Sequence, residues 1–138
     1  MQKNQKNFLL LVDDDPDEVF IIAGIFSELM MPNRFHHVNS GEKALEYLEE
    51  AYLKINLPAA VLLDINMPGM NGVETLKRIV KNRNFANVKV YMHSTGMDPE
   101  VMATCKKLGV AGFIEKSPTN TEVRKLVENL VGSVPSWG

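Results

Sequence analysis

The chain has 138 residues, of which 45% are hydrophobic and 23% charged, a balance that is typical of one globular domain with a full core and excludes a disordered chain. Its 15 basic and 17 acidic side chains leave a formal charge of −2 without a long basic run, so we expect no direct binding to nucleic acid. The single cysteine, Cys105, has no second cysteine to pair with, and the first apolar run, Phe8 to Val12, is too short for a signal peptide or a membrane span. These features predict a cytoplasmic protein that has no membrane partner.

Short apolar runs alternate with amphipathic stretches in the first half of the chain. The run Phe8 to Val12 lacks polar alternation, which is typical of a strand buried on both faces of a parallel sheet. The second strand is more polar and is therefore expected near an edge of the sheet. The predicted elements are strands over 8–12, 34–38 and 60–63, and helices over 19–30, 45–52 and 73–80.

The second half repeats this rhythm, with strands over 88–93 and 112–115 and helices over 101–108 and 123–130. Asp98-Pro99 predicts one helix start through a capping side chain followed by proline, and Thr119 to Glu122 fits a capping box for the last helix. Five βα units predict an α/β fold, a five-stranded parallel sheet with helices on both faces. We expect a domain over 1–132 and a flexible tail over 133–138.

Acidic residues follow the first and third predicted strands directly. Asp13, Asp14 and Asp15 follow the first strand, and Asp64 follows the third. Asp15 precedes Pro16, which is the pattern of a helix N-cap, so Asp13 and Asp14 are left for the site. Carboxylates within about 5 Å of one another repel unless a cation lies between them. Mg²⁺ is the expected cation because it binds a few carboxylates together with water and phosphate oxygens.

Three motifs stand at the ends of predicted strands, in the order of a known family. They are Leu11-Val12-Asp13-Asp14, then Asp64 with Met67-Pro68 and Asn71-Gly72 in the following loop, and Lys116 after the fifth strand. Over about residues 8–130 the sequence thereby resembles the response-regulator receiver domains of two-component signalling. The resemblance implies the strand order 2-1-3-4-5 and identifies Asp64 as the phosphoacceptor. It also implies that Asp13, Asp14, Asp64 and the backbone carbonyl of Asn66 bind Mg²⁺.

The resemblance further implies a self-catalysed phosphoryl switch rather than an enzyme acting on a separate substrate. The phosphoryl donor would be a sensor histidine kinase or a phosphotransfer protein, and Lys116 would counter charge on the transferred group. Ser94 occupies the family's hydroxyl position at the end of the fourth strand, and Phe113 the position of its switch aromatic. A downstream protein partner would bind strand five and the last two helices, and a homodimer stays open.

The sequence departs from the family pattern at a few positions. Thr95 follows Ser94 where a smaller residue is common, His93 ends an otherwise apolar strand, and Ser117 separates Lys116 from Pro118. The adjacent His36 and His37 should face opposite sides of a strand, so they cannot chelate one metal ion and are expected to have surface or packing roles.

Two other functions compete with the switch. One is a receiver-like interaction module that takes no phosphate. The other is a haloacid-dehalogenase-type phosphatase, which would use Asp13 as nucleophile and Asp15 as acid and base; Pro16 and the short chain disfavour it.

Overall fold

Five parallel strands and five helices alternate through residues 6–96 and 98–132, the part of the chain that the computed structural model describes. The tail over 133–138 lies outside these residues, and the domain boundary at residue 132 stays a prediction. The strands are β1 (Lys6–Val12), β2 (Phe35–Val38), β3 (Pro58–Asp64), β4 (Lys89–Ser94) and β5 (Gly112–Glu115). The helices are α1 (Pro16–Glu28), α2 (Gly41–Leu53), α3 (Gly72–Lys81), α4 (Pro99–Lys107) and α5 (Thr121–Gly132), with short 3-10 turns at Pro32–Arg34 and Arg83–Phe85.

The strand order is β2-β1-β3-β4-β5, which confirms the order implied by the family resemblance. Val12 pairs with Leu63, Asp64 with His93, and Ser94 with Glu115, so neighbouring strands end at the same edge of the sheet. The chain changes direction across the sheet between β1 and β3. Reactive groups gather at this edge in open parallel sheets, and here the acidic segments meet there.

Two apolar clusters, one on each face of the sheet, hold the layers together. Leu9 and Leu11 of β1 pack with α1 and α5, whereas Leu10 and Val12 pack with α2, α3 and α4. This alternation follows from the period of a strand, and it explains why the stretch of β1 from Phe8 to Val12 is apolar at every position. Each fully buried leucine or isoleucine contributes roughly 1.5–3 kcal/mol to folding. The largest fully buried apolar side chains include Leu9, Leu10, Leu11, Ile22, Phe26, Leu48, Leu62, Leu63, Leu76, Ile79 and Met92.

Aspartate side chains begin two of the helices as predicted. Asp15 accepts a hydrogen bond from the backbone N–H of Asp17 at 2.9 Å, and Asp98 accepts one from Glu100 at 2.9 Å. The predicted capping box of the last helix is wrong. Helix α5 begins at Thr121, after Asn120 takes a positive φ of 55°, and the carboxylate of Glu122 accepts from the N–H of Glu115 instead.

None of the helices in the described ranges is both long and apolar enough to cross a membrane.

Candidate functional site

Three aspartates meet where β1 and β3 end. Asp64 is the last residue of β3, and Asp13 and Asp14 follow β1 directly. One carboxylate oxygen from each lies within 4.8 Å of those of the other two. Asp13 and Asp64 are buried, at 0% and 4% exposure, while Asp14 is exposed. The structure therefore brings together the three side chains that were predicted as metal ligands, two of them buried and one exposed to solvent.

Lys116 reaches this group from the end of β5. Its Nζ lies 3.3 Å from Oδ2 of Asp13 and 3.5 Å from Oδ1 of Asp64. The Lys116 backbone N–H donates to the carbonyl of Ser94 at 2.8 Å, which extends the pairing of β5 with β4 by one residue. Only 13% of the lysine side chain is exposed, so its ammonium is held against both carboxylates.

The loop after β3 is shaped by the residues that the sequence pattern singled out. The N–H of Asn66 donates to Oδ1 of Asp64 at 3.1 Å, and the side chain of Asn71 caps α3 by accepting from Glu74. A Cβ at Gly72 would overlap the backbone of Asp64 and Ile65, so the close approach of α3 to the end of β3 requires glycine. This tight loop fixes the orientation of the Asp64 carboxylate.

The electrostatics of the pocket oppose an unpaired charge on Asp64. Burial, together with repulsion from Asp13, raises the pKa of Asp64 to about 6, although Lys116 and the hydrogen bond from Asn66 act the other way. Burial lowers the pKa of Lys116, but attraction from Asp13 and Asp64 outweighs it and leaves the pKa raised. At neutral pH the pocket therefore holds a carboxylate at Asp64 and an ammonium at Lys116.

The pocket residues fit a hard divalent cation. The two buried carboxylates and the exposed one supply oxygen ligands of the kind that Mg²⁺ and Mn²⁺ take in proteins. Oδ2 of Asp13 is fully buried, and its charge is balanced by the Lys116 ammonium 3.3 Å away. A divalent cation that displaces this ammonium would find a charged oxygen ligand in place. Asn66 lies in the adjoining loop, and the role of its carbonyl stays a prediction.

Ser94 and Phe113 lie where the switch residues were expected, on adjacent strands. The Ser94 hydroxyl is buried and donates to the carbonyl of Gly96 at 2.7 Å, so it is engaged with its own loop. Phe113 is partly buried and packs against the apolar cluster that also contains Cys105 of α4. Thr95, the residue beyond Ser94, is exposed.

Three residues beside the aspartate group, His93, Glu18 and His37, were not identified from the sequence. His93 is 1% exposed, and one of its ring nitrogens lies within 4.8 Å of carboxylate oxygens of Asp13 and Glu18. Burial, and secondarily Lys116, lowers the pKa of His93 to about 3, so its ring is neutral.

Nε2 of His37 lies 2.8 Å from the backbone carbonyl of Asp13 and donates to it, which connects β2 to the pocket. The polar His93 in an apolar strand was the only signal in the sequence. His36 instead stacks on Tyr47.

The doubly wound sheet and the acidic pocket at its edge define a receiver-type signalling domain. A family model described as "Response regulator receiver domain" matches residues 9–128. The chain therefore belongs to the response regulator receiver domain family.

Relatives and solved structures agree with this membership. The two-component response regulator ORR1 of rice is 32% identical over 123 residues, covering 86% of this chain and 52% of ORR1. The protein-glutamate methylesterase/protein-glutamine glutaminase of Bacillus subtilis is 30% identical over 132 residues, covering 94% of this chain and 35% of that protein. The chain thus spans about half the length of ORR1 and about a third of the length of the methylesterase.

The fold is shared with solved receivers. The phosphorylated cyanobacterial phytochrome response regulator RcpA superposes with a TM-score of 0.80 at 24% identity, over 95% of this chain and 99% of that one. A two-component response regulator from Legionella pneumophila superposes with a TM-score of 0.76 at 25% identity, over 91% of this chain and 98% of that one.

Proposed function

We propose that this receiver accepts a phosphoryl group on Asp64 and changes its surface in response. The observation that carries the proposal is the joint placement of Asp13, Asp14 and Asp64 within 4.8 Å, with the Lys116 ammonium 3.5 Å from Asp64. A buried carboxylate flanked by a cation site and a fixed ammonium is the arrangement that phosphoryl transfer needs, because that reaction is accelerated mainly by positioning and charge compensation.

The chain's own residues define the steps of the transfer. An oxygen of the Asp64 carboxylate forms a bond to phosphorus, and the bond from phosphorus to the donor's imidazole nitrogen breaks, leaving the imidazole to take a proton. The N–H of Asn66, which donates to Oδ1 of Asp64, holds the carboxylate in place. Lys116 would move from its ion pairs with the carboxylates to a phosphoryl oxygen. A Mg²⁺ ion held by Asp13, Asp14, Asp64 and the Asn66 carbonyl would supply further charge compensation.

The same geometry gives Ser94 its proposed role in the switch. Its hydroxyl is a donor at the end of β4, next to the strand that ends in Asp64, and it currently donates to Gly96. A phosphoryl oxygen on Asp64 would compete for this donor and draw the β4–α4 loop inward. Phe113 packs against the same apolar cluster as Cys105 of α4 and would move with that helix. The surface formed by α4, β5 and α5 would then act on a downstream protein.

The donor is proposed to be a sensor histidine kinase or a phosphotransfer protein, because membership of the receiver family implies donors of this kind. Other proteins of this fold include the phosphorylated RcpA and the Mn²⁺-bound form of the response regulator Rcp1. The haloacid-dehalogenase alternative is disfavoured because the Asp15 carboxylate caps α1 instead of serving as an acid next to Asp13. The receiver-like module without phosphorylation stays the alternative that experiment must exclude.

Incubation with acetyl phosphate and Mg²⁺ tests the proposal. We expect intact-mass spectrometry to find one added phosphoryl group, removed by hydroxylamine as an acyl phosphate is. Asp64→Asn should abolish the addition, whereas Asp17→Asn, an exposed acid on the first turn of α1, should not change it. A folded wild-type protein that takes no phosphoryl group, or an Asp64→Asn variant that is still modified, would contradict the proposal.

A further inference from the structure

A second cluster of metal-binding side chains adjoins the aspartate pocket on its other side. It consists of Asp13, from the end of β1, Glu18, from the first turn of α1, and His93, from β4. One ligand atom from each lies within 4.8 Å of those of the other two. Asp13 belongs to both groups, but the second contains an imidazole, whereas the first contains only oxygen ligands.

The state of the His93 ring is what distinguishes this cluster from a chance grouping of acids. The residue is 1% exposed, and its Nδ1 is buried without a hydrogen-bond partner in residues 6–96 and 98–132. A buried polar nitrogen without a partner destabilises the fold, and most buried polar groups in proteins do have a partner. The second carboxylate, that of Glu18, is only partly buried, which leaves a route from solvent to the cluster.

We propose that Asp13, Glu18 and His93 form a second metal site, which binds a zinc-like transition metal ion rather than Mg²⁺. Carboxylate oxygens and imidazole nitrogens are both ligands that Zn²⁺ takes in proteins, and three protein ligands leave a fourth position for water. Mg²⁺ prefers oxygen ligands and would stay at the other group.

Lys116 and the shared aspartate link the two sites. The Lys116 ammonium lies 3.3 Å from Asp13, so a zinc ion that binds Asp13 must displace it or lie on the far side of the carboxylate. A carboxylate shared between two cations binds each less well, so zinc should weaken Mg²⁺ binding. Only this antagonism rests on the proposed function; the zinc site itself does not depend on phosphorylation.

Calorimetric titration of the full chain with Zn²⁺ alone tests the proposal. We expect one tight site per chain, and we expect His93→Gln and Glu18→Gln each to weaken it by about tenfold or more. Mg²⁺ affinity, measured on the same variants, should change by less than about threefold in His93→Gln, because that residue is not in the oxygen-only group. His36→Gln is the matched control: it removes a histidine elsewhere in the chain and should leave zinc binding unchanged.

Proton resonances of the three histidine rings give a readout on the wild-type protein that does not depend on the folding of any variant. We expect Zn²⁺ to shift the ring signals of His93 and to leave those of His36 in place. Equal zinc affinity in wild type and in folded His93→Gln and Glu18→Gln variants, or a zinc-induced shift confined to His36 and His37, would overturn the proposal. If Asp64→Asn lost zinc binding and His93→Gln kept it, the ion would lie in the oxygen-only group, and this result would overturn the proposal as well.

Discussion

Replacing Asp64 by asparagine should stabilise the unmodified protein. In the folded state, burial and repulsion from Asp13 raise the pKa of Asp64 from 3.8 to about 6, so ionising this carboxyl opposes folding. A difference of about two pKa units corresponds to about 3 kcal/mol at pH values above both pKa values. Asparagine keeps an oxygen that can accept from the N–H of Asn66, and it removes the charge. We therefore expect a gain of about 1–3 kcal/mol in the free energy of unfolding, since the unfolded chain and relaxation of the site reduce the full value.

The sign of this effect fixes its pH dependence. Because the pKa of Asp64 is raised in the folded state, the folded state binds the proton more tightly than the unfolded chain does. Ionisation of Asp64 therefore lowers the free energy of unfolding. This loss is absent below the unfolded-state pKa and complete above the folded-state pKa of about 6. The advantage of Asp64→Asn should therefore be largest at about pH 7.5 and should shrink as the pH falls toward about 4.5.

Urea denaturation followed by circular dichroism, with a chelator present, measures this difference at the two pH values. Glu128→Gln, which removes an exposed negative charge on α5, is the matched control and should change stability by less than about 0.5 kcal/mol. Saturating Mg²⁺ should stabilise the wild type more than Asp64→Asn and so reduce the gap. If Asp64→Asn were less stable than wild type at neutral pH without Mg²⁺, the attraction of Lys116 would outweigh burial and repulsion, and our account of the pocket would be wrong.

Three further predictions follow from the same contacts. Asp14→Ala should weaken Mg²⁺ binding by at least about tenfold, because Asp14 belongs to the oxygen-only group. Asp15→Ala should leave Mg²⁺ binding nearly unchanged and should cost about 1 kcal/mol of stability, because it removes the cap of α1. Equal magnesium affinities of the two variants by calorimetry would refute this division of roles. Ser94→Ala should still bind the phosphoryl analogue beryllofluoride, but the amide resonances around Phe113 and α4 should no longer shift when it binds. Thr95→Ala, a change at the exposed neighbouring residue, should retain these shifts. Full wild-type shifts in Ser94→Ala would exclude a role of the hydroxyl in the switch. Gly72→Ala should lower the free energy of unfolding by about 1–3 kcal/mol, because the added Cβ meets the backbone of Asp64 and Ile65. Gly24→Ala, on the exposed side of α1 where a Cβ meets nothing, should be neutral or stabilising. Similar urea midpoints for the two variants would contradict the close approach of α3 to the end of β3.

Much of the fold could be predicted from the sequence because its local signals are strong. The unbroken apolar run of β1 and the helical spacing of Ile22 and Phe26 indicate a buried parallel strand followed by an amphipathic helix, as the structure confirms. The helix caps at Asp15 and Asp98 could also be predicted, because each capping side chain accepts from a backbone N–H only two residues further along the chain. The strand order came from the family resemblance alone, since periodicity within an element does not fix its neighbour in the sheet.

The parts that sequence reasoning missed depend on contacts between distant segments. His37 bonds to the carbonyl of Asp13, 24 residues away, through the pairing of β2 with β1. His93 was visible as a polar residue in an apolar strand, but its approach to Glu18 follows from the packing of α1 on the sheet. The capping box at Thr119 failed for a local reason: Asn120 adopts a left-handed conformation, so the helix begins later, and Glu122 satisfies the backbone of β5.

In the proposed reaction, Asp64 is the residue that carries the phosphoryl group. Borohydride reduces an aspartyl phosphate to homoserine, so treatment of the acetyl phosphate-modified protein, followed by peptide mass spectrometry, identifies the residue directly. We expect homoserine at position 64, and only when Mg²⁺ is present. Homoserine at position 13 or 14, or an unreduced chain after incubation under conditions in which another receiver is modified, would contradict it.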